Sequence, residues 1–350
     1  MNYSTLILFF LILLTACIDN NDLLLNSTVP LEQNALILRE AESRGYFLNT
    51  PEFPALLNSE DIYNEIENYN IIDVRPADHY NSGYINNSIN INHKDLYDYV
   101  SNLESDKPIL LVSINGQASA YYTSLFRSYG IKNIYSLKFG IAGWNKLFEY
   151  EMMDYIGNKS LGHSIFHSTN GKHYNLPEII EDTASENIKE IFDQRIKNLF
   201  QEGFNEILSN KQIEDSQNDI SSCSFGYLYS NINQNEIFVM ASTTTDIKYN
   251  FPKPAGTIIF HPFNGINDFY STEKLQTIPS DKIITCFSYS GQISAATVAY
   301  LRLLGYNAKS LLFGVQYYGY DAIKNTISTG RLYIYNSSND FPIIKINNVQ

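Results

Sequence analysis

Two short segments set the same kinds of residue in the same order about 175 positions apart. The first reads Ser113-Ile114-Asn115-Gly116-Gln117-Ala118-Ser119 and the second Ser288-Tyr289-Ser290-Gly291-Gln292-Ile293-Ser294. Each follows a continuous apolar run, residues 108–112 and 283–287, and each precedes a helical pattern that ends at a glycine, Gly130 or Gly305. A strand that feeds a tight loop and then a helix gathers backbone N–H groups around one point, where the helix N-terminus adds roughly half a positive charge. Such a loop stabilises an anion. The serine at its head could attack a carbonyl or phosphoryl group only beside a general base, and neither loop contains a histidine. His79 and His93, the nearest in sequence, are read as surface or packing residues.

Sulfur chemistry has few places to reside. The three cysteines, Cys17, Cys223 and Cys286, are too few for a disulfide-built scaffold or a four-cysteine zinc site. Cys286 points to the same side of its strand as Ser288 but sits about 6.6 Å further down. It is read first as a core residue and second as a displaced nucleophile. Its five-residue gap to Gln292 is that of a cysteine phosphatase loop, yet Gln292 stands where that chemistry needs an arginine to clamp phosphate. In an oxidising compartment Cys223 and Cys286 could pair. His163 and His167 are four apart with His173 nearby, but Gly162, Asn170 and Gly171 mark that stretch as loop. No metal site is assigned, and no cofactor is expected.

The elements that must position the loops follow from periodicity. Ala118, Tyr121, Tyr122, Leu125, Phe126 and Tyr129 recur at helical spacing, as do Ile293, Ala296, Tyr300, Leu301 and Leu304. After each helix comes a shared signature, Ser136-Leu137-Lys138-Phe139-Gly140 and Ser310-Leu311-Leu312-Phe313-Gly314, and Lys138-Phe139-Gly140 reads as a second wall of the first cradle. Fully apolar strands alternating with helices predict an α/β fold in which each parallel sheet is flanked by helices. A chain of 350 residues and 40.0 kDa has room for two such domains. Its 44% hydrophobic content excludes a disordered chain, and its net charge of -13 argues against nucleic acid as a partner. Between the halves, Ser185 is placed to cap a helix whose face carries Ile188, Ile191, Phe192, Ile196, Leu199 and Phe200, with Gly203 beyond its end.

Asp73-Val74-Arg75 ends a buried strand, Gly83-Tyr84-Ile85 follows, and then comes the strand, loop and helix around Ser113. This combination resembles the rhodanese-like, or sulfurtransferase, family, over residues 58–148 and again over 281–323. The resemblance implies two tandem rhodanese-like α/β domains. It implies a cysteine at the head of the loop, held as thiolate by the surrounding dipoles, that takes a sulfane sulfur as persulfide and passes it to a thiophilic acceptor. Ser113 and Ser288 hold those positions here, and a hydroxyl has neither the low pKa nor the sulfur-carrying capacity of a thiol. The resemblance also implies that Asp73 and Arg75 are scaffold. In the second half residues 237–242 and 254–258 stand where the Asp-x-Arg and Gly-x-Ile segments would be, without the acidic and basic pair.

Residues 6–14 are nine consecutive apolar side chains, less than half of the ~20 a transmembrane helix needs. They end in Leu14-Thr15-Ala16-Cys17, which resembles the lipobox of bacterial lipoproteins and implies cleavage before Cys17 and acylation of it. Acyl chains contribute ~0.8 kcal/mol per buried methylene to membrane binding. The expected organisation is therefore a signal peptide over 1–16, a tether over 17–29, a first rhodanese-like domain over 30–160, a connecting helical segment over 161–205 and a degenerate second domain over 206–350. The expected function is a non-catalytic protein of the bacterial cell envelope, extracytoplasmic and lipid-anchored, facing the periplasm or exposed at the surface. Its partners would be the membrane, through the lipid on Cys17, and a small anion or a protein at the loops. The alternatives are an active thiosulfate or persulfide sulfurtransferase using Cys286 or another site, and a purely structural envelope protein.

Overall fold

The computed structural model describes residues 33–45, 54–158, 173–179, 186–208, 217–232, 236–243, 257–260, 268–270, 272–326 and 334–345. The expected signal and tether with Cys17, the histidines His163 and His167, the cap Ser185 and residues 254–256 lie outside them. Among the described residues no helix is long and apolar enough to cross a membrane.

Among the described residues ten short strands form two sheets. The first contains Leu56–Leu57 (β1), Asn70–Asp73 (β2), Ile89–Asn90 (β3), Ile109–Val112 (β4) and Ile134–Leu137 (β5), in the order β1-β5-β4-β2-β3. The second contains Ser222–Cys223 (β6), Ile237–Ser242 (β7), Ile258–Phe260 (β8), Ile283–Phe287 (β9) and Ala308–Leu311 (β10), in the order β6-β10-β9-β7-β8. All neighbours within each sheet are parallel. The two orders are the same once the strands are renumbered, so the duplication seen in the sequence is a duplication of topology. Every residue of β4 is buried, because both faces of its sheet are covered, and this is why the strand reads as an unbroken apolar run. Register fixes which residues correspond. Asp73 pairs with Val112 and Ala241 with Phe287, each one residue before a loop serine, so Ala241 holds the place of Asp73 and Thr243 that of Arg75.

Five helices of nine residues or more occur among the described residues: Gln33–Arg44 (α1), His93–Ser101 (α2), Gln117–Tyr129 (α3), Ile188–Glu202 (α4) and Gln292–Leu303 (α5). The helices that follow the loops, α3 and α5, pack against each other, and Ser124 Oγ donates to the Ala296 carbonyl at 2.9 Å. Small residues at this contact let the two backbones approach. The connecting helix α4 begins at Asn187, whose side chain accepts from the Lys189 N–H at 3.0 Å. The cap is thus two residues later than the expected Ser185, and asparagine serves the role equally well. Ile191, Phe192, Ile196, Leu199 and Phe200 of α4 are buried where α1, α2, α3 and α5 meet. Full burial of one such side chain contributes about 1.5–3 kcal/mol. One apolar core consequently runs through both repeats. A second core lies on the opposite face of the first sheet around Trp144, where the end of the chain returns: Trp144 Nε1 donates to the Pro342 carbonyl, and Tyr84 and Ile344 exchange backbone hydrogen bonds.

Candidate functional site

Ser113 and Ser288 stand one residue past the carboxyl ends of β4 and β9, and every residue of both loops is buried. Ser113 Oγ accepts from the backbone N–H groups of Gly116 and Ser119 at 3.1 and 3.2 Å. Ser288 Oγ accepts from the Ser294 N–H at 3.1 Å. Both hydroxyls are therefore turned into their own loops, satisfying N–H groups at the start of a helix that would otherwise be orphaned. A third serine completes each arrangement: Ser119 Oγ lies 2.7 Å from Ser136 Oγ, and Ser294 Oγ lies 2.9 Å from Ser310 Oγ. Ser136 and Ser310 open the shared signature read in the sequence.

Glycine is required at two kinds of position here. Gly116 and Gly291 take φ of +86° and +84° to turn each loop into its helix. Gly140 and Gly314 lie so close to the loops that a Cβ would fall within 2.2 and 2.1 Å of the Ser113 and Ser288 carbonyl oxygens. The close approach lets the Ile141 and Val315 N–H groups bond those same carbonyls at 2.9 and 3.0 Å. The loops also lock each other. Gln117 Oε1 accepts from the Phe313 N–H at 3.0 Å, and Gln292 Oε1 accepts from the Phe139 N–H at 2.9 Å, so each repeat inserts an amide into the other's second wall.

The donors of the first loop already have an acidic partner, supplied by the chain itself. Glu206, four residues past the end of α4, brings its carboxylate onto the loop. Oε1 accepts from the Ile114 N–H, and Oε2 accepts from the Ala118 N–H and from Ser113 Oγ, both at 3.0 Å. The Glu206 carbonyl accepts from Asn115 Nδ2 at 3.2 Å. Burial holds the carboxyl above the usual carboxylate range, against the hydrogen bonds from Ala118, Ile114 and Ser113 that pull it partly back. Sequence reasoning missed Glu206. It lies 93 positions from Ser113, and an acid just beyond a helix end carries no local mark of burial. A cavity of about 300 Å³ opens beside it, walled by Arg75, His93, Ile114, Tyr122 and Gly203. The His93 ring lies flat against Tyr122, 6.4 Å between centroids, and burial lowers its pKa. In the second repeat Ile293 holds the place of Ala118, and no carboxylate among the described residues bonds its N–H.

Asp73 and Arg75 form a buried bidentate ion pair, with Arg75 Nη2 to Asp73 Oδ2 at 2.7 Å and Arg75 Nε to Asp73 Oδ1 at 2.9 Å. Arg75 also donates to the His79 and Gly83 carbonyls, at 3.2 and 2.8 Å. The pair thus fastens β2 to the turn that leads into β3.

Three readings are settled against the sequence's alternatives: Cys286 as a nucleophile, its pairing with Cys223, and Lys138 as a wall of the first cradle. Cys286 keeps its first reading as a core residue: it is fully buried within β9, and burial pushes its thiol far above the usual range, which counts against the alternative of a displaced nucleophile. Nor do Cys286 and Cys223 pair. Both are free, because β10 lies between their strands and two strand spacings are about 9–10 Å, beyond the roughly 7 Å limit for a disulfide. Lys138 is likewise not a wall of the first cradle. The Phe139 N–H faces the partner loop, while Lys138 Nζ donates to Asn58 Oδ1 at 3.1 Å in a separate groove of about 410 Å³ beyond the ends of β1 and β5. Burial lowers the Lys138 pKa to about 8.

With this geometry in view, residues 58–147 match the family model described as the rhodanese-like domain. The first repeat is a rhodanese-like domain. The chain is 26% identical over 82 residues to the thiosulfate sulfurtransferase GlpE of Shewanella oneidensis, spanning 23% of this chain and 81% of that protein. The GlpE of Pseudoalteromonas translucida is 27% identical over 89 residues, 25% of this chain and 78% of that one. Among solved structures, a rhodanese-related protein from Thermoplasma volcanium is 33% identical over 24% of this chain and 84% of its own, with a TM-score of 0.23. SseA of Escherichia coli aligns with 74% of this chain and 98% of its own at 13% identity and a TM-score of 0.26. The rhodanese-like match thus covers β2 to β5 of the first sheet and the loop that Glu206 fills.

Proposed function

We propose that this protein is a non-catalytic member of the rhodanese-like family, held in the bacterial cell envelope by a lipid on Cys17, whose loops serve binding and assembly rather than sulfur transfer. One observation carries the reading: at the head of both loops stands a serine whose oxygen is committed to hydrogen bonds within the loop, so neither site presents a group that can carry a sulfane sulfur. Buried Cys286 offers no substitute. The second loop keeps the donor-rich form that suits a small anion or an acidic group of a protein partner. Placement in the envelope is supported by the residues 6–17 that resemble a lipoprotein signal.

The test uses thiosulfate, the sulfur donor named for the GlpE relatives, with cyanide as acceptor. Purified full chain incubated with thiosulfate and cyanide is expected to release no thiocyanate above a protein-free control, and mass spectrometry is expected to find no added sulfur on Cys223 or Cys286. Thiocyanate production that disappears in Cys286→Ala would overturn the non-catalytic reading. Mass spectrometry of the mature N-terminus tests the anchor: an acylated Cys17 is expected, and an unprocessed Met1 would refute it.

A further inference from the structure

The donors on the first loop are those of an oxyanion site: two backbone N–H groups, of Ile114 and Ala118, and one hydroxyl, of Ser113, converging on a carboxylate. They lie at the start of the 13-residue helix α3, whose dipole favours negative charge at that end. The arrangement is rigid. Gly116 holds its left-handed turn, Ser113 Oγ is fixed by the Gly116 and Ser119 N–H groups, and the loop is buried.

The segment carrying Glu206 is held by bonds that do not involve its carboxylate. The Phe204 N–H donates to Tyr122 Oη at 3.0 Å, Ser222 Oγ donates to the Asn205 carbonyl at 2.6 Å, and Gln217 Nε2 donates to the Ile207 carbonyl at 2.8 Å. Removing the acidic group alone would therefore leave the segment in place and open a polar void on the loop, continuous with the cavity of about 300 Å³.

We infer that the first loop is a latent oxyanion site whose resident ligand is the chain's own Glu206 carboxylate, which closes it to free oxyanions. The inference rests on the non-catalytic reading of the loop and extends it by naming what occupies the site. A tethered carboxylate acts at an effective concentration that a dissolved ion cannot match, so the wild-type loop excludes solution anions. Once the tether is cut, a small planar carboxylate such as formate matches the donor set left behind, and a tetrahedral oxyanion such as sulfate meets the same N–H groups from the cavity side.

The test is chemical rescue. Thermal unfolding of the full chain is measured for the wild type, Glu206→Ala and Glu206→Gln in chloride, formate and sulfate at matched ionic strength. Glu206→Ala is expected to melt several degrees lower in chloride and to recover most of that loss, saturably, in formate or sulfate. The wild type is expected to melt alike in all three salts. Glu206→Gln keeps the volume but turns a donor toward an N–H, so it should melt lower and show no recovery. Should Glu206→Ala not fold, hydrogen exchange at the Ile114 and Ala118 amides decides on Glu206→Gln, with faster exchange expected at these two sites. Absence of anion-specific recovery in a folded Glu206→Ala, an equal anion response in the wild type, or unchanged amide exchange in Glu206→Gln would each overturn the inference. The thiocyanate assay is read separately. Sulfur transfer by the wild type would refute the non-catalytic reading and leave the rescue result standing, whereas failed rescue would leave that reading untouched.

Discussion

The two repeats build the same loop on different supports. Beneath the first lie Asp73 and Arg75 as a buried ion pair, and over it lies the Glu206 carboxylate. At the matching register positions the second has Ala241 and Thr243. Yet both loops keep an inward-turned serine, a second serine paired to a third, a left-handed glycine and a glutamine reaching into the other repeat. The loop is thus specified by its own hydrogen bonds and by its twin. The charged pair is an added brace, needed where the chain must hold the turn from residue 76 to residue 90 against β2.

The largest effect is expected where that brace is broken halfway. Arg75→Thr leaves the Asp73 carboxylate buried without its cation and should cost about 3–5 kcal/mol in urea unfolding. The double variant Asp73→Ala with Arg75→Thr copies the second repeat and should lose clearly less than the single. A double variant as unstable as the single would mean that the loop in the first repeat cannot stand on its own bonds.

Next come the reciprocal amides. Gln117→Ala leaves the fully buried Phe313 N–H unsatisfied and should cost about 1–3 kcal/mol. Gln292→Ala exposes the less deeply buried Phe139 N–H and should cost less. A double-mutant cycle with a coupling above roughly 0.5 kcal/mol would show that the two loops fold as one unit, and strict additivity would show that they do not.

The smallest effect is a pH dependence. Lys138 titrates at about 8 in the fold against its ordinary 10.5, so between these values the unfolded chain binds more protons and stability should rise with pH. Leu312 holds the equivalent place in the second repeat and is buried. Lys138→Leu should flatten the rise in urea midpoint between about pH 8 and 10.5. A slope unchanged by the substitution would assign the rise to other groups.

Much of this was legible in the chain. The apolar runs at β4 and β9 gave two sheets, the glycines at 116, 130, 291 and 305 marked helix boundaries, and serine at both loop heads was visible at once. The sequence misassigned what depends on direction rather than spacing. Lys138 belongs to the signature that walls the loop, but its side chain leaves the wall for the groove at Asn58. Cys286, by contrast, lies in the core, as its first reading had it. Asn187 rather than Ser185 caps α4, because either type can cap and only the course of the chain selects one.

By itself the amino-acid order determined the repeated strand, loop and helix, since these arise from side-chain periodicity and backbone preferences within a dozen residues. It also determined that oxygen, not sulfur, heads each loop. The tertiary structure alone decided that Glu206 lies on the first loop and that Gln117 and Gln292 cross between the halves. Those contacts join positions roughly 90 to 200 residues apart, and only burial in a shared core brings such groups within hydrogen-bond reach.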